Sequence, residues 1–227
     1  MLVKNWMSHP AIIVNEKDSM NDAIKIIKEN NISILPVMKK EKLVGVITDG
    51  DLKRASASDA TSLEIYELLY LISKIKIKDI MSRTPITVPP DFSVEETAEI
   101  LLKNKISGVP VVDNQGQVLG VITQNDLFKV LIALTGVEKR GVQFAFLIED
   151  RPGSIKEIAD VVRNYGGRVV SILTSYEQAP AGYRKLYLRV YQMDREKLVD
   201  LKKELKEKAT MLYLVDHREN KREVNFE

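Results

Sequence analysis

The stretch Gly45-Val46-Ile47-Thr48-Asp49-Gly50-Asp51-Leu52 returns as Gly120-Val121-Ile122-Thr123-Gln124-Asn125-Asp126-Leu127, at an offset of 75 residues (120 minus 45). A recurrence of that length constrains the fold before any single residue does. Working outward, Ile32-Ser33 and Pro36-Val37 return as Ile106-Ser107 and Pro110-Val111, Val14 as Val88, and Met7-Ser8 as Met81-Ser82, all at an offset of 74 (81 minus 7). One inserted residue near Asn114-Gln115-Gly116 reconciles the two offsets. The chain therefore begins with a duplicated unit.

Each copy reads as strand, helix, strand, strand, helix. In the first, Ile12-Ile13-Val14 is a short apolar run, and Ser19-Met20-Asn21-Asp22 offers an N-cap with an acid three residues on. Ala23, Ile26, Ile27 and Asn30 follow at helical spacing, so this helix is expected to end near Asn31. Residues 32–38 read as a buried strand, 39–42 as a polar turn and 43–48 as a second strand, after which Asp49-Gly50-Asp51 opens another helix. The second copy repeats the order. It has a strand edge at 85–88, a capping box at Ser93 and Glu96 ahead of an apolar stripe over 98–105, strands at 109–112 and 118–123, and a helix over 126–134. Between the copies, residues 61–75 are apolar at Leu63, Tyr66, Leu69, Tyr70 and Ile72, which predicts a connecting helix.

Residues 135–141 carry two glycines, Gly136 and Gly141, and mark a change of grammar. Beyond them the pattern is strand 142–148, helix 154–165, strands 168–176 and 183–191, helix 196–206 and strand 210–215, a βαββαβ order. The expected plan is a first repeat over 1–60, a connecting helix over 61–78, a second repeat over 79–134, a linker over 135–141 and a further domain over 142–217. A charged tail over 218–227 is expected to fray.

Composition narrows the function. A formal net charge of +2 over 227 residues lacks the electropositive footprint of a nucleic-acid binder. The absence of cysteine excludes disulfides, thiolate zinc sites and a cysteine nucleophile. His9 and His217 are far apart in sequence, so neither a metal site nor Ser-His-Asp chemistry is expected. With no activated nucleophile and no glycine-rich phosphate loop, an enzyme is not expected either. No uncharged apolar run approaches bilayer length, so the expectation is a cytoplasmic chain without a membrane partner.

The residues that carry chemistry are Thr48 with Asp51 and Thr123 with Asp126, each pair at a strand-to-helix handover. A carboxylate there can accept hydrogen bonds from adjacent ribose hydroxyls, and a helix start favours nearby phosphate. Thr-x-x-Asp is equally a capping-box variant that stands with no ligand. Spacing alone leaves both readings open.

The Met-Ser lead, the Ile-Ser-x-x-Pro-Val strand and the Gly-Val-Ile-Thr-x-x-Asp-Leu close, in order in both copies, resemble tandem CBS domains, the Bateman module, over about residues 1–134. The resemblance implies an α+β fold of two βαββα units packed with pseudo-twofold symmetry, with two clefts for an adenine nucleotide or related adenosine ligand. Carried over residue by residue, Thr48 and Asp51 would join Ile86, Ile106 and Ser107, while Thr123 and Asp126 would join Ile12, Ile32 and Ser33. Arg83, Arg54 and Lys129 are the phosphate candidates, with His9 near the same entrance. Nucleotide-sensing members often have a basic residue inside the Ile-Ser-x-x-Pro segment, where this chain has Ser33-Ile34 and Ser107-Gly108. AMP, ATP, another dinucleotide and S-adenosylmethionine therefore stay open, as a regulatory ligand and not a required cofactor.

Asp150-Arg151-Pro152-Gly153-Ser154 forms a second motif, with Ser154 and Glu157 spaced as a capping box at a helix start that could receive a carboxylate. With the βαββαβ order it resembles a ferredoxin-like ACT domain over about residues 141–217. That resemblance implies sheet-to-sheet pairing and an amino acid bound at the interface. Arg168 stands where amino-acid-binding members frequently have Asn, so a domain that only dimerises stays open. The combination is similar to AcuB-type proteins of acetoin utilisation. It implies a non-catalytic sensor, homodimeric, acting on a regulated protein that the sequence does not name. The alternative is a structural adaptor without a nucleotide ligand.

Overall fold

The computed structural model describes residues 1–58, 70 and 73–224. The predicted connecting helix falls mostly outside the described residues. The chain divides into two compact units, Met1–Phe128 and Lys129–Glu227.

In the first unit one copy contributes β1 (Val14–Asn15), α1 (Met20–Asn30), β2 (Ile34–Lys39), β3 (Lys42–Thr48) and α2 (Asp49–Ser58). The other contributes α3 (Ile77–Ile80), β4 (Ser82–Arg83), α4 (Val94–Asn104), β5 (Gly108–Val112), β6 (Val118–Thr123) and α5 (Gln124–Thr135). Both expected capping boxes form. Ser19 Oγ accepts from Asp22 N at 3.2 Å while Asp22 Oδ2 accepts from Ser19 N at 2.9 Å. Ser93 and Glu96 exchange the same bonds at 3.1 and 2.7 Å. Each cap contributes about 1 kcal/mol. The inward face of α1 is Met20, Ala23 and Ile27, and that of α4 is Val94, Thr97 and Leu101. Thr97 can replace an alanine at a fully buried position because its hydroxyl donates to the Ser93 carbonyl at 3.1 Å.

The two copies exchange their leading segments. β4, from the second copy, pairs with β3 of the first, Val46 opposite Ser82 and Gly45 opposite Arg83. Ser8, from the first copy, bridges Val121 on β6, with N–H to carbonyl distances of 2.9 and 3.1 Å in the two directions. The same exchange continues into the helix starts: Val3 N donates to Phe92 O at 2.8 Å, and Ile77 N donates to Asp18 O at 3.0 Å. Val3 and Ile77 are both fully buried, and Ile77 belongs to the core of the copy it does not come from. The leading segment of each sequence copy is thus shared with the other copy's sheet. Sequence proximity did not decide the pairing, because a strand edge with unpaired amides takes whichever extended segment lies beside it.

The second unit comprises β7 (Val142–Glu149), α6 (Ser154–Asn164), β8 (Arg168–Ser175), β9 (Tyr183–Tyr191), α7 (Leu198–Lys208), β10 (Thr210–Asp216) and β11 (Lys221–Val224). They form an antiparallel sheet of order β11-β10-β7-β9-β8. Phe144, Phe146, Leu186, Leu188 and Val190 face Ile158, Val162, Leu201 and Leu205 of the two helices. Burying each of these side chains stabilises by about 1.5–3 kcal/mol.

One expectation fails here. The charged tail does not fray over 221–224: β11 pairs with β10, Asp216 Oδ1 accepts from the amides of Arg218 and Glu219, and Lys202 meets Glu223 at 2.5 Å. The division between units falls inside α5, after Phe128. The reason is the helix end, where Thr135 O accepts from Arg189 Nε at 2.7 Å and from Ser171 Oγ at 3.0 Å. Arg189 is only 4% exposed, and a cation at a helix C-terminus is favourably placed.

The exchange leaves a mark in the sequence. A Cβ at Gly45 would lie 2.6 Å from Met81 Sδ and 2.8 Å from Ser82 O, and one at Gly120 would lie 2.5 Å from Ser8 O and 2.8 Å from Met7 Sδ. The recurring glycine thus exists because the recurring Met-Ser crosses over it. Gly45→Ala and Gly120→Ala should each destabilise by about 1–3 kcal/mol, read as a lower melting temperature of the full chain; an unchanged melting temperature in both would refute the crossing.

Candidate functional site

The handover from β3 to α2 builds one corner of the candidate site. Thr48 N and Thr48 Oγ1 both donate to Asp51 Oδ2, at 2.9 and 2.6 Å, and Asp51 N donates back to Thr48 Oγ1 at 3.2 Å. Arg54, one turn on, pairs with Asp51 Oδ1. The second corner repeats this from β6 to α5, with Thr123 N and Oγ1 donating to Asp126 Oδ2 at 3.0 and 2.8 Å. Asp51 is 9% exposed and Asp126 4%. The capping geometry foreseen for Thr-x-x-Asp is therefore present in both copies, and it leaves each carboxylate with acceptor capacity beyond its own backbone.

Strand alternation places these corners. Leu35 and Val37 point into the helix-side core of the first copy, so Ile34, Pro36 and Met38 occupy the opposite face, where β2 and β5 approach each other. Thr48 stands directly across from Ile34, and Thr123 from Gly108, so both threonines share that inter-copy face.

Backbone hydrogen bonds join several of the remaining candidates to their neighbours. Asp49 N donates to Ser33 O at 3.1 Å, and Gln124 N donates to Ser107 O at 2.9 Å with Gln124 Nε2 reaching Ile106 O at 3.3 Å. Hydrogen bonds thus tie the backbone of Ser33 and of Ile106-Ser107 to the helix start of their own copy. The cause is topological: β2 and β3 are antiparallel neighbours, as are β5 and β6, so the first residues of one lie beside the last of the other. What crosses between copies is the leading segment. It carries Arg83 onto β3, where its NH2 reaches Lys78 O at 3.5 Å, and His9 onto β6, where Nδ1–H donates to Leu119 O at 2.6 Å. Arg83 and His9 are equivalent under the 74-residue offset (83 minus 9). Recurrence of Met-Ser was the available signal for this, and it marks duplication without naming the strand it pairs with. Ile12 is half-buried against the first copy's core, Ile86 is 38% exposed ahead of the Val88–Val111 bridge, and Lys129 is the first residue of the second unit.

In the second unit the Asp150–Ser154 turn takes a different form from the expected capping box. Gly153 is the N-cap, Ser154 Oγ donates to Arg151 O at 3.0 Å, and Glu157 is held by Arg151 through two bonds of 2.8 and 2.7 Å. A bidentate guanidinium outcompetes a single amide for the carboxylate. Glu157 and Glu149 together raise the Arg151 pKa, and Arg151 in turn lowers that of Glu157. Asp150 Oδ1 accepts from Tyr176 OH at 3.3 Å and lies 3.5 Å from Arg184 Nε. Beside the turn is a cavity of about 260 Å³ bordered by Arg151, Ser154, Glu157, Tyr183 and Lys208.

Among the described residues, no cluster of His, Asp or Glu is arranged to hold a metal ion, and no helix is long and apolar enough to cross a membrane. The CBS domain family model matches residues 3–58 and 77–133. An uncharacterized protein of Methanocaldococcus jannaschii is 32% identical over 155 residues, covering 58% of this chain and 92% of the relative. A CBS domain-containing protein of Dictyostelium discoideum is 32% identical over 133 residues, with the same two coverages, 58% and 92%. A solved CBS domain pair in complex with 5′-methylthioadenosine and S-adenosyl-L-methionine is 35% identical with a TM-score of 0.50, over 58% of this chain and 99% of that one.

The two corners make a stability prediction independent of any ligand. Thr48→Val and Thr123→Val each remove a hydroxyl that donates to a buried carboxylate, and should lower unfolding free energy by about 1–3 kcal/mol in denaturant titration. No loss in either would mean that the carboxylates are solvated and the corners not preformed.

Proposed function

This chain belongs to the CBS-domain family as a tandem pair, and from that membership we propose a non-catalytic regulator that binds an adenosine-containing ligand at its Thr–Asp corners. The observation that carries the reading is the twofold occurrence of a buried aspartate at a helix start, oriented by its own threonine, on the face where the two copies meet. A carboxylate so held can accept from the two hydroxyls of a ribose, while the first-turn amides favour phosphate. Arg83, carried onto the first corner's sheet, and Arg54, paired with Asp51, are cations on that side, and His9 is carried onto β6 of the second. The solved pair crystallised with two adenosine derivatives supports this ligand class.

The second unit is proposed as a ferredoxin-like ACT domain, and the whole chain as an AcuB-type regulator. Its βαββαβ order, with β10-β7-β9-β8 antiparallel, and the Asp150-Arg151-Pro152-Gly153-Ser154 turn support this. Its two sheet edges differ. β11 is short and reads Lys221-Arg222-Glu223-Val224, a charged edge of the kind that resists pairing. β8 is eight residues long with a charge only at Arg168, and Ile172 on it is 40% exposed. We therefore assign homodimerisation to β8, and an amino acid or similar effector to the neighbourhood of the Asp150 turn. A specific observation also favours the adaptor reading: the corners are internally hydrogen-bonded, so capping alone accounts for both aspartates.

Calorimetry with AMP, ATP and S-adenosylmethionine on the full chain separates the readings. Asp51→Ala and Asp126→Ala should each weaken adenosine-ligand binding by about tenfold or more, and a double variant of undiminished affinity would defeat the site assignment. If none of the ligands binds or raises the melting temperature, the adaptor reading stands. Sedimentation should find a dimer that Ile172→Lys dissociates; persistence of the dimer in that variant would move the interface away from β8.

A further inference from the structure

The β2–β3 hairpin of the first unit carries Lys39, Lys40 and Lys42 around a single acid, Glu41, on one wall of a cavity of about 800 Å³. That volume is in the range of small-molecule sites. The cavity lies at the hairpin end of β3, whereas Thr48 is at the other end, six residues or about 20 Å along the strand (48 minus 42). It is therefore separate from the Thr–Asp corners. The facing wall comes from the second copy: Gln115 and Gln117 from the β5–β6 turn, with Thr87 nearby. Leu43, Pro85 and Val112 provide apolar surface between them.

The duplication itself provides the comparison that makes this hairpin informative. The corresponding turn of the second copy reads Asp113-Asn114-Gln115-Gly116-Gln117, and its left-handed position, φ 80°, is filled by Gly116. In the first copy the left-handed residue is Lys40, φ 54°, which aligns with Asn114 and not with Gly116, and where the second copy's turn has no basic residue the first has Lys39, Lys40 and Lys42. A non-glycine residue there strains the backbone where glycine would not. Lys39 is partnered by Glu16 at 3.2 Å. Lys40 and Lys42 line the cavity, and among the described residues neither is in an ion pair. Lys40, held in a left-handed conformation beside a second lysine and opposite two neutral amides, puts charge at the cavity without an ion-pair partner among the described residues.

We propose that this cavity is an accessory site for a small organic phosphate: Lys40 and Lys42 pair with the phosphate groups, Gln115, Gln117 and Thr87 hydrogen-bond the polar body, and Leu43, Pro85 and Val112 cover its apolar part. The site is formed by both copies, so an occupant would hold their hairpin ends together. It uses none of the residues assigned to adenosine.

The test titrates the full chain with inorganic tripolyphosphate at low salt, with adenosine titrated in parallel. Expected is one saturable tripolyphosphate site per chain, weakened about tenfold or more in Lys40→Gly/Lys42→Gln, weakened by added salt, and unchanged in Asp51→Ala/Asp126→Ala. Adenosine affinity should be unchanged in the lysine variant. Lys40→Gly alone should not lower the melting temperature, because glycine accepts the left-handed backbone, which shows that the variant is folded. Absence of saturable tripolyphosphate binding, survival of that binding in the lysine variant, or its loss in the aspartate variant would each overturn the site. A fall in melting temperature with Lys40→Gly would overturn the reading that Lys40 serves the cavity by its charge.

Discussion

Ser8 against Val121 and Ser82 against Val46 are the backbone contacts on which the first unit depends. Neither copy completes its own sheet: the outer strand beyond β3 comes from the second copy, and the segment beyond β6 from the first. Strands β3 and β6 would otherwise present an unpaired edge. Closing each with the other copy's leading segment satisfies those amides and joins the two copies at once. Several apparently unrelated residues follow from this geometry. Gly45 and Gly120 are small because Met81-Ser82 and Met7-Ser8 pass over them, Val3 and Ile77 are fully buried, and Ile77 belongs to the core of the other copy. A shift of one copy against the other must disturb both ladders, so the pair has few intermediate arrangements. That is the condition under which a ligand preferring one arrangement changes a population.

The features legible in the sequence were those fixed by local chemistry. Ser19 with Asp22 and Ser93 with Glu96 cap their helices as their spacing requires, since each partner is three residues from the other and no competitor lies nearby. The Ser154–Glu157 spacing is the same, yet no box forms, because Arg151 offers a two-point partner to the same carboxylate. Spacing records what can pair and is silent on what outbids it. The exchange of leading segments was illegible for another reason: its partners are 113 and 36 residues apart (121 minus 8, and 82 minus 46), and no periodicity encodes which edge a short strand will meet. The terminal charges misled similarly. Lys221 to Val224 reads as solvated tail, but an edge strand of a sheet has one solvated flank, and alternation of charge is compatible with it.

At the Thr–Asp corner the capping reading of Thr-x-x-Asp is realised in the fold, and its geometry is compatible with the proposed ligand. Capping uses Oδ2, which accepts from a backbone amide and a hydroxyl; this fixes the plane of the carboxylate and its burial without consuming the whole acceptor capacity of the group. At Asp51 the remaining oxygen meets Arg54, whose side chain is 76% exposed. A pair with one partner so exposed is screened and is worth little in stability, about 1 kcal/mol or less. It is therefore readily exchanged for hydroxyls or shared with a phosphate, whereas the capping bonds are not. A site assembled in this way begins with its acid already oriented and largely removed from water, so binding need not pay to order it. Under the proposed function, the cap that looks like an argument against a ligand would be the device that prepares the carboxylate to receive one.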